Sequence, residues 1–149
     1  MAFDLKLTII GPLTFTLDDH ALKRAEMDYA IGFEIERFDT FEEFLKAHPN
    51  EEGYYVTRYS NNTYSDYDLK DVSKNYFFMF GRESTGIPKE ILVEHFSHTM
   101  RIPMAIDARS LNLSNSVAIV LSEALRQQNF YSLATEETIK GADFLSRFK

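Results

Sequence analysis

Two polar loops between Phe77 and Gln127 hold the residues best suited to chemistry. One reads Gly81-Arg82-Glu83-Ser84-Thr85-Gly86, the other Ser110-Leu111-Asn112-Leu113-Ser114-Asn115, and each adjoins an apolar segment. Neither glycine of the first loop carries a Cβ and both can take positive φ, so a ligand can approach the backbone closely there. Two glycines alone fit a plain strand-to-helix turn better than a ligand site, because lone glycine patterns are weak signals. The second loop shifts the balance. Its two serines and two asparagines precede an apolar helix that needs only one of them as an N-cap, and the others are left over. Together the loops suit a cofactor site made mostly of main chain.

The elements that must hold these loops are legible as well. Tyr76 to Phe80 is an uninterrupted, mostly aromatic run, the pattern of a strand buried on both faces. Pro88 suits the first turn of a helix after Gly86, where its missing N–H is not needed. Thr99 to Ile102 reads as another strand, closed by Pro103. Ser116 to Phe130 carries Val117, Val120, Leu121, Ala124 and Leu125 at helical spacing, which predicts a helix with a core-facing or partner-facing stripe.

The segments FGRESTG, RIPM and RSLNLSNSVAIVLSEALRQ resemble the second and third conserved motifs of the SPOUT RNA methyltransferases. More narrowly, they resemble the TrmL-type enzymes, which methylate the ribose 2'-hydroxyl of the tRNA wobble nucleotide. GPLTFTLDDHALKRAEMDY is similar to that group's GF-x-x-DD-x-x-x-KRA-x-x-DY segment, and the matches follow the family's order over about half of the chain. The resemblance implies a Rossmann-like α/β domain with a parallel sheet and a C-terminal deep trefoil knot, spanning 1–149 as one domain with the knot at about 76–130. Such knots are exceptions to the rule that chains do not thread their own loops. It also implies S-adenosyl-L-methionine held by main-chain groups at Val56, Gly81, Ile102 and Ser110, and a homodimer acting on tRNA in the cytoplasm. Glu83, Ser110 and Asn112 are then candidates for orienting groups, and Lys23, Arg24, Arg82 and Arg109 for phosphate contacts. The family's first motif, similar to N-T-G-N-I-x-R, has no counterpart in these residues. A second expectation therefore stands beside the enzyme: a knotted cofactor- or RNA-binding protein that has lost catalysis.

Elsewhere the pattern is that of an ordinary α/β chain. Leu5 to Ile10 reads as a strand ended by Gly11-Pro12, and Asp18-Asp19 heads a short helix through Ala25. Ile31 to Phe38 alternates as a strand with one solvated side. Thr40 to Glu43 is a capping box for a helix that ends near His48, and Tyr54 to Thr57 is a further strand. Residues 58–71 form a polar loop with Tyr59, Tyr64 and Tyr67, rings that can stack on unpaired bases or pack on the domain. Ala134 to Phe148 has helical spacing and predicts a last helix or a partly ordered end.

At 149 residues and 44% hydrophobic, the chain has enough apolar side chains for a proper core. No run is long enough to span a bilayer, and the absence of cysteine excludes disulfides and thiolate metal sites. His95 and His98 would share one side of a helix and could suit a metal with Glu94, but a third fixed ligand is not evident and no metal is expected. With 16 cationic and 23 acidic side chains the net charge is -7, which opposes RNA binding in the far field while leaving room for a local positive face.

Overall fold

The computed structural model describes residues 3–12 and 35–148, which divide into the units Met1–Pro49 and Asn50–Lys149. In the first unit β1 (Leu7–Ile10) runs parallel to β2 (Ile35–Phe38), with Leu7 opposite Ile35 and Ile10 opposite Phe38. Helix α1 (Phe41–Ala47) follows, capped by Thr40, whose Oγ1 accepts from the Glu43 N–H at 3.2 Å. The reciprocal bond is displaced by one residue from the capping-box pattern, because the Glu43 carboxylate accepts from the Asp39 N–H at 3.1 Å. Phe41 and Phe44 are buried as the spacing predicts. Glu36 joins the elements by accepting from Lys6 at 2.7 Å and by meeting His48 Nε2 at 3.1 Å. The Lys6 hydrogen bond is the main reason its carboxyl stays below the usual range. The helix expected from Asp18 to Ala25, with Lys23 and Arg24, lies outside the described residues, as do positions 31–34 of the strand expected from Ile31.

The second unit is built on a parallel sheet in which β3 (Glu52–Val56) lies between β4 (Tyr76–Phe80) and β5 (Thr99–Met100). Alternation along the strands separates two faces. Tyr54, Leu69 and Met100 pack with Val120 and Ala124 of helix α3 (Leu113–Gln127), and Val56, Phe78, Phe80 and Ile102 line the same cluster. On the other face Tyr55 stacks on His95, the residue that ends helix α2 (Lys89–Glu94), with ring centroids 4.7 Å apart. Gly53 leaves room for the Phe77 ring, since a Cβ there would lie 2.2 Å from it.

Three expectations change. The buried strand is β3, whose Gly53, Tyr54 and Tyr55 are all inside, whereas every residue of β4 is half-buried. Strand β4 lies to one side of β3 in this sheet and β3 holds the centre, so apolar composition overstated the burial of β4. Helix α3 begins three residues early because Asn112 caps it, and ends where Asn129 and Phe130 take positive φ. In place of a helix over Ala134 to Phe148, a 3-10 turn covers Phe144–Phe148, after Gly141 with its φ of +91°.

The loop at 58–71 is tied down rather than loose. Ser60 is buried and its hydroxyl donates to the Thr99 carbonyl at 2.7 Å. The Arg101 N–H donates to Asn62 O at 2.9 Å, and the Tyr64 N–H to Arg101 O at 3.0 Å. Gln127 of α3 accepts from the Leu69 N–H at 2.8 Å and donates to Tyr67 O at 3.0 Å.

Two outcomes follow for stability. Met100 is completely buried, so Met100→Ala should cost about 2–5 kcal/mol in urea unfolding, while Ile106→Ala, at an exposed loop position, should stay within about 0.5 kcal/mol. Burial pushes the Tyr55 phenol up to about 12, whereas an unfolded chain ionises its tyrosines near about 10. Unfolding then releases a proton that the folded chain keeps, so stability is full below about pH 10 and falls as the pH rises toward about 12. Tyr55→Phe should flatten that fall in alkaline denaturation curves.

Candidate functional site

The register of the second sheet aligns the candidate cofactor residues. Val56 lies opposite Phe80 of β4 and Met100 of β5, so the three parallel strands end side by side. Beyond them the chain continues as Thr57, whose N–H donates to Met100 O at 2.8 Å, as Gly81, and as Arg101-Ile102. Val56, Gly81 and Ile102 thus stand at one carboxyl edge, the edge along which open α/β sheets place their ligands. The third loop reaches the same edge through Arg58, which donates to the Arg109 carbonyl at 3.4 Å. Ser110 is the residue that follows this carbonyl.

The first loop is a closed turn. Arg82 and Gly86 form an antiparallel bridge, and the Gly86 N–H donates to Arg82 O at 2.8 Å. This fold-back makes glycine necessary at position 81, where a Cβ would lie 2.1 Å from the Gly86 carbonyl carbon and 2.2 Å from the Ile87 nitrogen. Only Gly86 uses positive φ, at +73°, and open space surrounds it. Position 81 therefore answers to the chain's own close approach, a requirement distinct from the conformational freedom expected of both glycines.

Side chains at the site are mostly exposed. Glu83 makes no ion pair or hydrogen bond among the described residues and does not tie the loop together; the backbone does. Asn112 uses Oδ1 to accept from the Ser114 and Asn115 N–H groups at 2.9 and 3.3 Å, which is N-capping. Arg82 and Arg109 are both exposed. Arg126, in the last turn of α3, is held by Glu123 at 2.8 and 2.9 Å, a bond that also lowers the Glu123 carboxyl's pKa. Sequence reasoning did not single out Ser60, Thr99 or Gln127, which anchor the loop after β3. Their only signal was polarity beside apolar runs. Among the described residues no cluster of three metal-ligating side chains occurs, and His95 and His98 pack on Tyr55 and Tyr54.

Main-chain N–H groups of Ile102 and Ser110 find no acceptor among the described residues. Donors left open at the carboxyl edge of a parallel sheet suit a ligand rich in acceptor atoms, such as a carboxylate, a ribose or an adenine ring. Fold and site together define an α/β protein with parallel sheets and main-chain donors open at one sheet edge.

Residues 1–122 match the SpoU rRNA Methylase family, and the chain belongs to that family. A Listeria innocua protein assigned as a tRNA (cytidine(34)-2'-O)-methyltransferase is 45% identical over 133 residues, covering 89% of this chain and 79% of that protein. A solved structure described in terms of 2-OH methylation of C/U34 on tRNA shares 32% identity at a TM-score of 0.73, over 84% of this chain and 80% of its own. An AdoMet-bound rRNA methyltransferase from Sinorhizobium meliloti shares 28% identity at a TM-score of 0.66, over 81% of this chain and 45% of its own.

The two glycines should separate on substitution. Gly81→Ala must displace the turn, costing about 1–3 kcal/mol by overpacking, and should abolish S-adenosylhomocysteine binding in calorimetry. Gly86→Ala meets no atom and carries only the left-handed backbone penalty of about 1–2 kcal/mol, so binding should persist.

Proposed function

We propose that this chain methylates the ribose 2'-hydroxyl of a tRNA wobble nucleotide, with S-adenosyl-L-methionine as methyl donor. The observation that carries the reading is the alignment of Val56, Gly81 and Ile102 at one sheet edge, in a chain whose relatives include an Escherichia coli tRNA (cytidine(34)-2'-O)-methyltransferase. Those relatives favour the active enzyme over a knotted binding protein without catalysis. The domain spans 1–149, with a trefoil knot at about 76–130 that threads the loops around the cofactor; its setting is the cytoplasm, and the working form is a homodimer.

When bound, the cofactor supplies an electrophilic methyl group on a sulfonium. The chain's part is to hold two reactants in line, since alignment and proximity supply much of the rate in such a transfer. Main-chain N–H groups at Ile102 and Ser110 orient the donor, and the turn of Gly81 to Gly86 walls the pocket. Transfer would break the methyl–sulfur bond, release the sulfur as a neutral thioether and give up the ribose hydroxyl proton, so a base or a charge that stabilises the developing alkoxide is required beside that oxygen. Glu83, Ser110 and Asn112 are the orienting groups proposed there. Asn112 keeps its Nδ2 for the ribose while Oδ1 caps α3, and Glu83 is exposed and has no ion pair among the described residues.

Arg82, Arg109, Lys23 and Arg24 supply the phosphate contacts. In a chain of net charge -7, a few placed cations must act locally, and two copies would pool them. The test is transfer of labelled methyl from the cofactor to tRNA, followed by nucleoside analysis of the wobble position. A 2'-O-methylated wobble nucleotide is expected, and labelled base instead of ribose would refute the reading. Arg82→Ala and Arg109→Ala should each weaken tRNA binding and flatten the slope of log K against log salt by about 0.7–0.9 units.

A further inference from the structure

The loop after β3 carries three tyrosines with different fates. Tyr64 and Tyr67 pack on the core cluster, and Tyr67 also donates its hydroxyl to the Ser97 carbonyl at 3.0 Å. Tyr59 is different: it stays 65% exposed. Its position is nevertheless fixed on both sides. Before it, Thr57 is bonded to Met100 O at 2.8 Å, and the Thr57 hydroxyl accepts from the Tyr59 N–H at 3.3 Å. After it, Ser60 is 2% exposed and bonded to Thr99. Arg58 meanwhile ties this elbow to the third loop through the Arg109 carbonyl. The ring therefore projects from a pinned elbow three residues beyond Val56, next in sequence to Arg58, whose guanidinium reaches the Arg109 carbonyl.

An aromatic ring exposed on a fixed backbone loses little freedom when it is covered, and every nucleobase offers a face to cover it. An acidic chain also gains little general attraction for phosphate, which leaves more of its RNA affinity to contacts independent of charge. We propose that Tyr59 is a stacking platform for an unpaired base of the RNA substrate, next to the nucleotide whose ribose is methylated. This inference rests on the reading of the chain as an RNA ribose methyltransferase. Tyr59 acts as a positioning residue: stacking sets where the flanking nucleotide lies and so which ribose reaches the methyl group.

The test uses the full chain saturated with S-adenosylhomocysteine and an anticodon stem-loop RNA with 2-aminopurine beside the wobble nucleotide. Stacking quenches that fluorophore. Wild type and Tyr59→Phe should quench it equally, whereas Tyr59→Ala should lose the quench and bind about 5- to 150-fold more weakly. Affinity for S-adenosylhomocysteine alone should be the same in all three. Equal quenching and affinity in Tyr59→Ala would overturn the proposal, as would a loss of S-adenosylhomocysteine affinity, which would put the ring on the cofactor. A wild-type chain that neither binds the RNA nor methylates tRNA would instead refute the underlying function, and the platform with it.

Discussion

The pairing of Val56 with Phe80 on one side and Met100 on the other governs what the second unit can do. Because all three strands are parallel and end in register, their following loops must leave from the same edge. Main-chain groups there are no longer committed to the sheet, which is the general reason that parallel sheets bind ligands at their carboxyl ends. Shifting β5 by one residue would turn Met100 away from Tyr54 and Val120, removing a fully buried side chain from the core cluster. Core packing and site assembly are in this sense one constraint.

The surrounding bonds convert that edge into fixed geometry. Ser60 with Thr99, Asn62 with Arg101, and Gln127 with both Tyr67 and Leu69 run the loop after β3 along β5 and down to the end of α3. The Gly81 turn closes through its own backbone. The side chains at the rim are exposed, and on the proposed function they serve the RNA while the backbone serves the cofactor. That proposed division of roles is compatible with an acidic chain acting on a polyanion.

Much of this was legible in the sequence. Strand β4 and the Thr40 cap stand where pattern placed them, and the loops flanking Gly81 and Asn112 carry the residue types expected. The burial of β4 was misjudged because an apolar run reports side-chain chemistry and not place in the sheet, which depends on partners distant in sequence. The apparent irregularity of residues 58–71 concealed an ordered path, since its ties are long-range polar bonds without any period. The structure gives Gly81 a different requirement from the one its sequence suggested: a close approach between residues 81 and 86 depends on how the turn closes, and composition is silent on that. In the last segment, periodicity alone could not outweigh the interruption at Gly141.

Amide hydrogen exchange with and without S-adenosylhomocysteine tests the central claim most directly, because it asks which main-chain groups become covered. The account predicts slowed exchange in three separate stretches, residues 57–59, 81–86 and 102–112, with no comparable protection in α1. Protection confined to one loop, or found in the first unit alone, would contradict a site assembled from the carboxyl ends of three strands.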